Sequence, residues 1–236
     1  MKTPVIHVFP TLSALVNELL QWLTQGVHDD VRDHGHAAWA LSGGRTPSPL
    51  YQALNQLGST FPWDATSLYL VDERDVWPTD PLSNYHMIAD ALLMNLQTPP
   101  ESVYSWHTML EPRYALASYR QALARLPRLN TYPCLDTAIQ GMGADGHTAS
   151  VFPQTPQLLS QDWVAYGPGP QAFRYTLTLP LLANARRIVF MVSGTDKAAA
   201  VKECLTNTSS PLPAAWLSQH GGEVHWFLDT ASAAHL

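Results

Sequence analysis

Two rhythms of apolar spacing alternate along the chain. Val5 to Phe9 is a short strand-like run. After it, Leu12, Leu15, Val16, Leu19, Leu20 and Leu23 recur at the spacing of one helical face, with Thr11 placed to cap that helix. Ala37 to Leu41 reads as a buried strand stopped by Ser42-Gly43-Gly44, and Leu50, Leu54 and Leu57 mark the helix after Pro47. Leu68 to Val71 is the next strand, ending at Asp72-Glu73-Arg74. Helices are predicted over Asn84 to Leu96 and through Leu116, Tyr119, Leu123 and Leu126. Strands are predicted at Leu135 to Gln140, Tyr175 to Leu179, Ile188 to Val192 and Val224 to Leu228, with a helix from Thr195 to about Leu205. Strand–helix alternation of this kind builds an α/β fold with a mostly parallel sheet covered by helices on both faces. In such sheets ligands bind beyond the carboxyl ends of the strands.

Composition narrows the classes. The 236 residues are 46% apolar and 14% charged, a globular balance. The net charge of −6 argues against nucleic acid or an anionic membrane surface as the main partner. It leaves room for an anionic small molecule held by a few converging cations and helix starts. Cys134 and Cys204 make no CxxC pair and no metal-ligand spacing, so both are expected to be reduced core thiols in a cytoplasmic protein. The first residues lack the apolar run of a signal peptide, and no run is long enough for a membrane helix. The Gly167–Pro170 segment is too short for a domain linker and reads as a loop over a site.

The chemistry-bearing residues lie where strands end. Ser42-Gly43-Gly44-Arg45-Thr46-Pro47 joins a buried strand to a helix. Its glycines permit close backbone approach, and its N–H groups and hydroxyls suit a phosphate, although a plain turn capped by Thr46 has the same pattern. Asp72-Glu73-Arg74 offers an arginine fork for an anion, or equally a surface charge cluster. In Gly141-Met142-Gly143-Ala144-Asp145-Gly146-His147, three glycines surround one acid and one imidazole, which suits His147 as a general base. Asp145 is the nearest candidate to orient it, with Asp72 and Glu73 as alternatives. Arg174 and Lys197 complete the candidate cations. His28, His34 and His36 near Asp29, Asp30 and Asp33 have no recognised ligand spacing, so no metal is expected. Neither His-Glu-x-x-His nor Gly-x-Ser-x-Gly occurs.

Taken in order, these segments resemble the 6-phosphogluconolactonase family from Ser42 to Asp229. Ser42 to Pro47 is similar to its Ser-Gly-Gly-Ser-Thr-Pro. Leu70 to Arg74 and Ser83-Asn84-Tyr85 resemble its second block, and Gln140 to Pro153 its most diagnostic stretch. Arg174 to Thr178 and Gly194 to Lys197 resemble the remainder. The resemblance implies a single three-layer αβα Rossmann-like domain over residues 1–236. It implies hydrolysis of 6-phospho-D-glucono-1,5-lactone in the oxidative pentose phosphate pathway, without metal or cofactor. It implies His147 and Asp145 as catalytic residues. Ser42, Gly43, Gly44, Arg45, Thr46, Asp72, Arg74, Asn84, Gly143, Arg174 and Lys197 are expected around the substrate, and a monomer with at most weak self-association. Three positions depart from the pattern: Arg45 replaces a usual Ser, Gln140 a usual Leu, and Gly167–Pro170 lacks a Lys often present there. Arg45 is expected to restore part of that missing charge. Glucosamine-6-phosphate deaminases share the Ser-Gly-Gly and Asp-Gly-His segments, but carry Asp-Glu-Tyr in place of Asp72-Glu73-Arg74 and an Asn-Glu-Pro after the His that is absent here. A non-catalytic sugar-phosphate sensor would need a DNA-binding helix-turn-helix, and the chain starts directly on its first strand.

Overall fold

The computed structural model describes residues 3–94 and 96–236. Strand β1 (Val5–Phe9) leads into helix α1 (Leu12–His34). The Thr11 hydroxyl accepts the Ala14 N–H at 3.2 Å, satisfying a first-turn donor. Gly35, at φ +79°, ends the helix in the left-handed region that favours glycine. Then come β2 (Ala37–Leu41), α2 (Ser48–Gln56), β3 (Thr66–Leu70), β4 (Asp72–Arg74), α3 (Asn84–Ile88), β5 (Ser102–Tyr104) and α4 (Pro112–Leu123). A two-residue ribbon, β6 (Arg128–Leu129) and β7 (Tyr132–Pro133), precedes β8 (Thr137–Gln140), β9 (Val164–Gly167) and β10 (Arg174–Leu177). The chain closes with α5 (Leu179–Ala183), β11 (Arg187–Val192), α6 (Ala198–Thr206), α7 (Pro213–His220) and β12 (Glu223–Asp229).

Seven strands form one sheet in the order β1-β12-β11-β8-β2-β3-β5, every pair parallel. Flanking helices make it the α/β/α arrangement that the strand–helix alternation predicts. Every residue of β2, β3 and β8 is buried, which explains why they read as unbroken runs rather than alternating ones. The core is rich in large rings: Trp39, Trp63, Trp226, Tyr51, Tyr69 and Phe190 are all fully buried. Trp77 is the contrary case, well exposed in the loop after β4.

Several elements differ from the pattern's forecast. β10 spans Arg174–Leu177, not Tyr175 to Leu179, and belongs to a separate antiparallel sheet in the order β4-β10-β9. Asp72-Glu73-Arg74 is likewise a strand of this second sheet rather than the tail of β3. Val71 joins the two sheets: its N–H donates to Leu41 O (2.9 Å), and its own carbonyl accepts from Leu177 N–H (2.8 Å). The helix forecast from Asn84 to Leu96 is α-helical only to Ile88 and continues as a π turn over Ala89–Leu93. There Met94 N–H reaches back five residues to Ala89 O (2.9 Å), leaving Leu96 outside. Leu126 and Leu57 fall just past the ends of α4 and α2.

Candidate active site

The first wall of the site is the turn after β2. Ser42 Oγ donates to Ile139 O (2.7 Å) and Tyr51 Oη donates to Ser42 O (2.7 Å), which ties the turn to β8 and α2. A Cβ at Gly43 would lie 1.8 Å from Asn84 Oδ1, so only glycine fits beneath that amide. Gly44 sits at φ +100°. Thr46 does not cap α2; Pro47 holds that position without a side-chain bond. The N–H groups of Gly43, Gly44 and Arg45 meet no protein acceptor among the described residues.

The second wall is the small sheet. Its register sets Arg74 directly opposite Arg174, and Asp72 opposite Thr176. Like charges facing across a ladder cost stability. Arg174 Nη2 donates to Pro170 O (2.7 Å), which holds Pro170 at the cavity, whereas Gly167 ends β9, and Arg74 Nη1 donates to Leu82 O. The Nε–H of each arginine is buried without a partner. Burial, and then the neighbouring Arg74, hold the Arg174 pKa below its ordinary value. Two crowded, under-satisfied guanidinium groups are the arrangement an incoming anion relieves. Asp72 is occupied from within: Asn84 Nδ2 donates to its Oδ1 (3.1 Å) and Ser150 Oγ to its Oδ2 (2.5 Å).

The third wall is the loop after β8. His147 Nδ1 lies 2.5 Å from Asp145 Oδ1. A carboxylate only accepts, so Nδ1 carries a proton, and in the neutral imidazole the lone pair then lies on Nε2. Burial, the largest single influence on the Asp145 carboxyl, pushes its pKa up. The charge and hydrogen bonds of His147 together outweigh it and bring the pKa below the usual carboxylate value. The ring packs against Phe152 with centroids 4.5 Å apart. Gly143 is obligatory here, since a Cβ would lie 2.1 Å from His147 Nδ1 and 2.4 Å from Asp145 Oδ1. Its N–H donates to His147 O (2.9 Å), so the loop itself uses this donor. Gly146, at φ +76°, completes the turn.

The fourth wall follows β11. Asp229 at the end of β12 accepts from Ser193 Oγ (2.5 Å), Gly194 N–H (3.2 Å) and Ser232 N–H (2.7 Å), fixing the turn that delivers Lys197. Lys197 closes a 3-10 turn, Thr195–Lys197, ahead of α6 and lies 3.1 Å from Asp196.

All four walls enclose one cavity of about 430 Å³. Ser42, Gly43, Gly44, Arg45, Thr46, Asp72, Arg74, Asn84, Gly143, His147, Arg174 and Lys197 line it, while Asp145 stands behind His147. Ser150, Phe152 and Pro170 also line it, and the first two already sat inside the Gly-rich stretch without being singled out. Glu73 and Asp229 lie behind the walls; neither Glu73 nor Asp72, the alternatives to Asp145, bonds His147, since residues 74 and 83–85 engage the first and Asn84 and Ser150 the second. Asp30, His34 and Asp136 come within metal-ligand distance of one another at the other end of the sheet. Arg187 and Arg186 already pair with the two carboxylates there.

Comparison with known proteins bears on the family and the fold. The family model described as glucosamine-6-phosphate isomerases/6-phosphogluconolactonase matches residues 10–226. The 6-phosphogluconolactonase of Nostoc sp. is 32% identical, over 98% of this chain and 98% of its own. The solved 6-phosphogluconolactonase of Trypanosoma brucei superposes with a TM-score of 0.88 at 26% identity, covering 100% of both chains. A monomeric glucosamine-6-phosphate deaminase superposes with a TM-score of 0.82 at 18% identity over 98% of this chain and 100% of its own, a likeness of fold alone. The chain belongs to the glucosamine-6-phosphate isomerase/6-phosphogluconolactonase family, on the side of the 6-phosphogluconolactonases.

Proposed function

We propose that the chain hydrolyses 6-phospho-D-glucono-1,5-lactone to 6-phospho-D-gluconate in the oxidative pentose phosphate pathway, with His147 as general base. The observation that carries this reading is the Asp145–His147 pair sharing one cavity with the opposed arginines Arg74 and Arg174. Arg74, Arg174 and Lys197, with the Ser42–Thr46 turn, hold the 6-phosphate. Asp145 keeps the proton on Nδ1, and Nε2 takes a proton from water as its oxygen attacks C1 of the lactone. The carbonyl π electrons move to oxygen, and the oxyanion draws on donors lining the cavity other than Gly143 N–H. On collapse the C1–O5 bond breaks, and the imidazolium returns its proton to the ring oxygen. No metal or cofactor enters, and no covalent enzyme intermediate is required.

The deaminase reading is disfavoured by Arg74 in the place of that family's Tyr, and by Thr148-Ala149-Ser150 where its acid follows the His. The deciding assay follows lactone loss and ammonia release side by side. Purified protein should accelerate hydrolysis of the phosphorylated lactone at mildly acidic pH, where the background is slow, and release no ammonia from glucosamine 6-phosphate. Ammonia release without lactonase activity would reverse the assignment, and tight 6-phosphogluconate binding without turnover would make the chain a sensor. Action as a monomer is proposed with it, and light scattering at assay concentration checks that.

A further inference from the structure

Asp72 and Arg74 send their side chains into the cavity, and Glu73 between them points to the opposite face of β4, where it is 2% exposed. A carboxylate so buried must be hydrogen-bonded, and this one is fully engaged. Its Oε1 accepts from Arg74 N–H (2.8 Å) and Asn84 N–H (2.7 Å). Its Oε2 accepts from Ser83 Oγ (3.0 Å) and Tyr85 N–H (2.8 Å). Arg74 Nη1 closes the ring by donating to the carbonyl of Leu82, the residue before Ser83. One carboxylate thus ties the backbone of Arg74 to the start of α3, where Asn84 lies.

We propose that Glu73 is a positioning residue for the phosphate clamp, locking the 82–85 segment onto β4 so that Arg74 and Asn84 keep a fixed spacing along one wall of the cavity. The inference rests on the reading that the cavity takes a phosphorylated lactone. Its charge has a second effect. With Asp72 it opposes the mutual repulsion of Arg74 and Arg174, as their influence on Arg174 shows. Burial pushes the Glu73 carboxyl pKa up, against the pull of its four hydrogen bonds. An amide at this position cannot reproduce the arrangement. In Glu73→Gln the NH2 group is best accommodated toward Ser83, whose hydroxyl can turn and accept, but it then faces the Tyr85 N–H, donor against donor.

The test compares the phosphorylated lactone with unphosphorylated D-glucono-1,5-lactone. In Glu73→Gln the preference for the phosphorylated substrate, as a ratio of kcat/KM values, should fall about tenfold or more, about 1.4 kcal/mol. The loss should lie mainly in KM, and inorganic phosphate should inhibit more weakly. An unchanged ratio would overturn the proposal, whether both rates survive or both fall together as general loosening requires. Should Glu73→Gln fail to fold, Ser83→Ala removes one bond from the same carboxylate together with the Ser83 Oγ cap on His86 N–H. It should shift the ratio in the same direction by about two- to fivefold, and a flat ratio again overturns the proposal. A wild type without preference for the phosphorylated lactone would sink the phosphate reading itself, and this inference with it.

Discussion

The two ends of the parallel sheet are both rich in charge, and they are built by opposite rules. At the amino end buried carboxylates are matched by opposite charge, Asp30 with Arg187 and Asp136 with Arg186 (3.1 Å), and Glu101 lies 2.9 Å from the His36 ring. Asp136 also accepts the Ala38 N–H (2.8 Å), which pins the start of β2. Even the Ser67–His36–Glu101 cluster, which has the composition of a nucleophile relay, lacks its wiring. The same ring nitrogen, His36 Nε2, meets both Ser67 Oγ (3.1 Å) and Glu101, whereas a relay needs the two nitrogens on different partners. At the carboxyl end, like charges face each other at Arg74 and Arg174, their Nε–H groups are orphaned, and glycine is forced at 43 and 143 by side chains lying against them. Charge density alone does not separate a site from a staple. Incomplete satisfaction of the charged groups does, since neutral orphans such as Trp63 Nε1 also occur away from the cavity.

That contrast is broken most directly at His147. His147→Ala should lower kcat by about 10²- to 10⁴-fold, the usual worth of general acid–base catalysis, with little change in the inhibition constant for phosphate. Steady-state kinetics on the phosphorylated lactone measure both. A variant that turns over like wild type would remove the proposed reaction's base and leave the carboxyl end no more chemical than the amino end.

A smaller effect is expected behind the imidazole. Asp145→Asn keeps the shape but can present an NH2 toward Nδ1, which favours the wrong tautomer. The Asp145 side chain is 54% exposed, so solvent softens the loss relative to a buried triad acid. A fall in kcat of about 10- to 100-fold is expected, below the roughly 10⁴ of a buried Asp. A drop as large as that of His147→Ala would mean that Asp145 itself takes part in proton transfer. No drop would reassign the orienting role.

Arg45 offers a finer probe, because it stands where the family pattern usually has a Ser. It lines the cavity, is exposed, and makes no ion pair among the described residues. An exposed cation at an anion site contributes about 0.2–1 kcal/mol. Arg45→Ser should therefore raise KM for the phosphorylated lactone by about two- to fivefold, an effect that fades as salt rises, and leave kcat unchanged. An unaltered KM at low ionic strength would place Arg45 outside the phosphate site.

Much of this was legible in the chain because strand ends carry it. The Ser42–Thr46 turn, the Gly141–His147 loop and Lys197 are each continuous segments following an apolar run, and local pattern finds such segments. What stayed hidden is non-local. No spacing rule tells that Asp72 to Arg74 leaves the parallel sheet at Val71, or that Arg174 lies across from Arg74, since register is set by pairing partners a hundred residues apart. The buried acids Glu73 and Asp229 were equally opaque. Their meaning lies in the N–H groups they accept from other segments. The end of α3 was missed for a local reason: Ile88, Leu92 and Leu96 keep a helical spacing through the π turn at Ala89–Leu93, where the backbone takes an extra residue.

The least effect on turnover, and the sharpest control, is expected at the amino end. Burial, opposed chiefly by Arg187, holds the Asp30 carboxyl pKa above its ordinary value. Removing Arg187 takes away that opposition, so the folded pKa of Asp30 must climb further. Arg187→Met therefore leaves a buried carboxylate without its counter-ion at neutral pH, and also loses the bond from Arg187 Nε to Thr137 Oγ1 (3.2 Å). Breaking such a pair costs about 3 kcal/mol. The sign of the pH dependence follows from linkage. A carboxyl whose folded pKa exceeds its unfolded one binds its proton preferentially in the folded state, so the deficit is full above the raised pKa and shrinks as pH falls through it. Thermal melts of wild type and variant should accordingly lie far apart at neutral pH and draw together on acidification. Per folded molecule, kcat/KM should stay within about twofold of wild type, the scatter expected of a substitution remote from the reacting groups. A parallel loss of turnover would show that the two ends of the sheet are coupled, and the paired charges would then be part of the site after all.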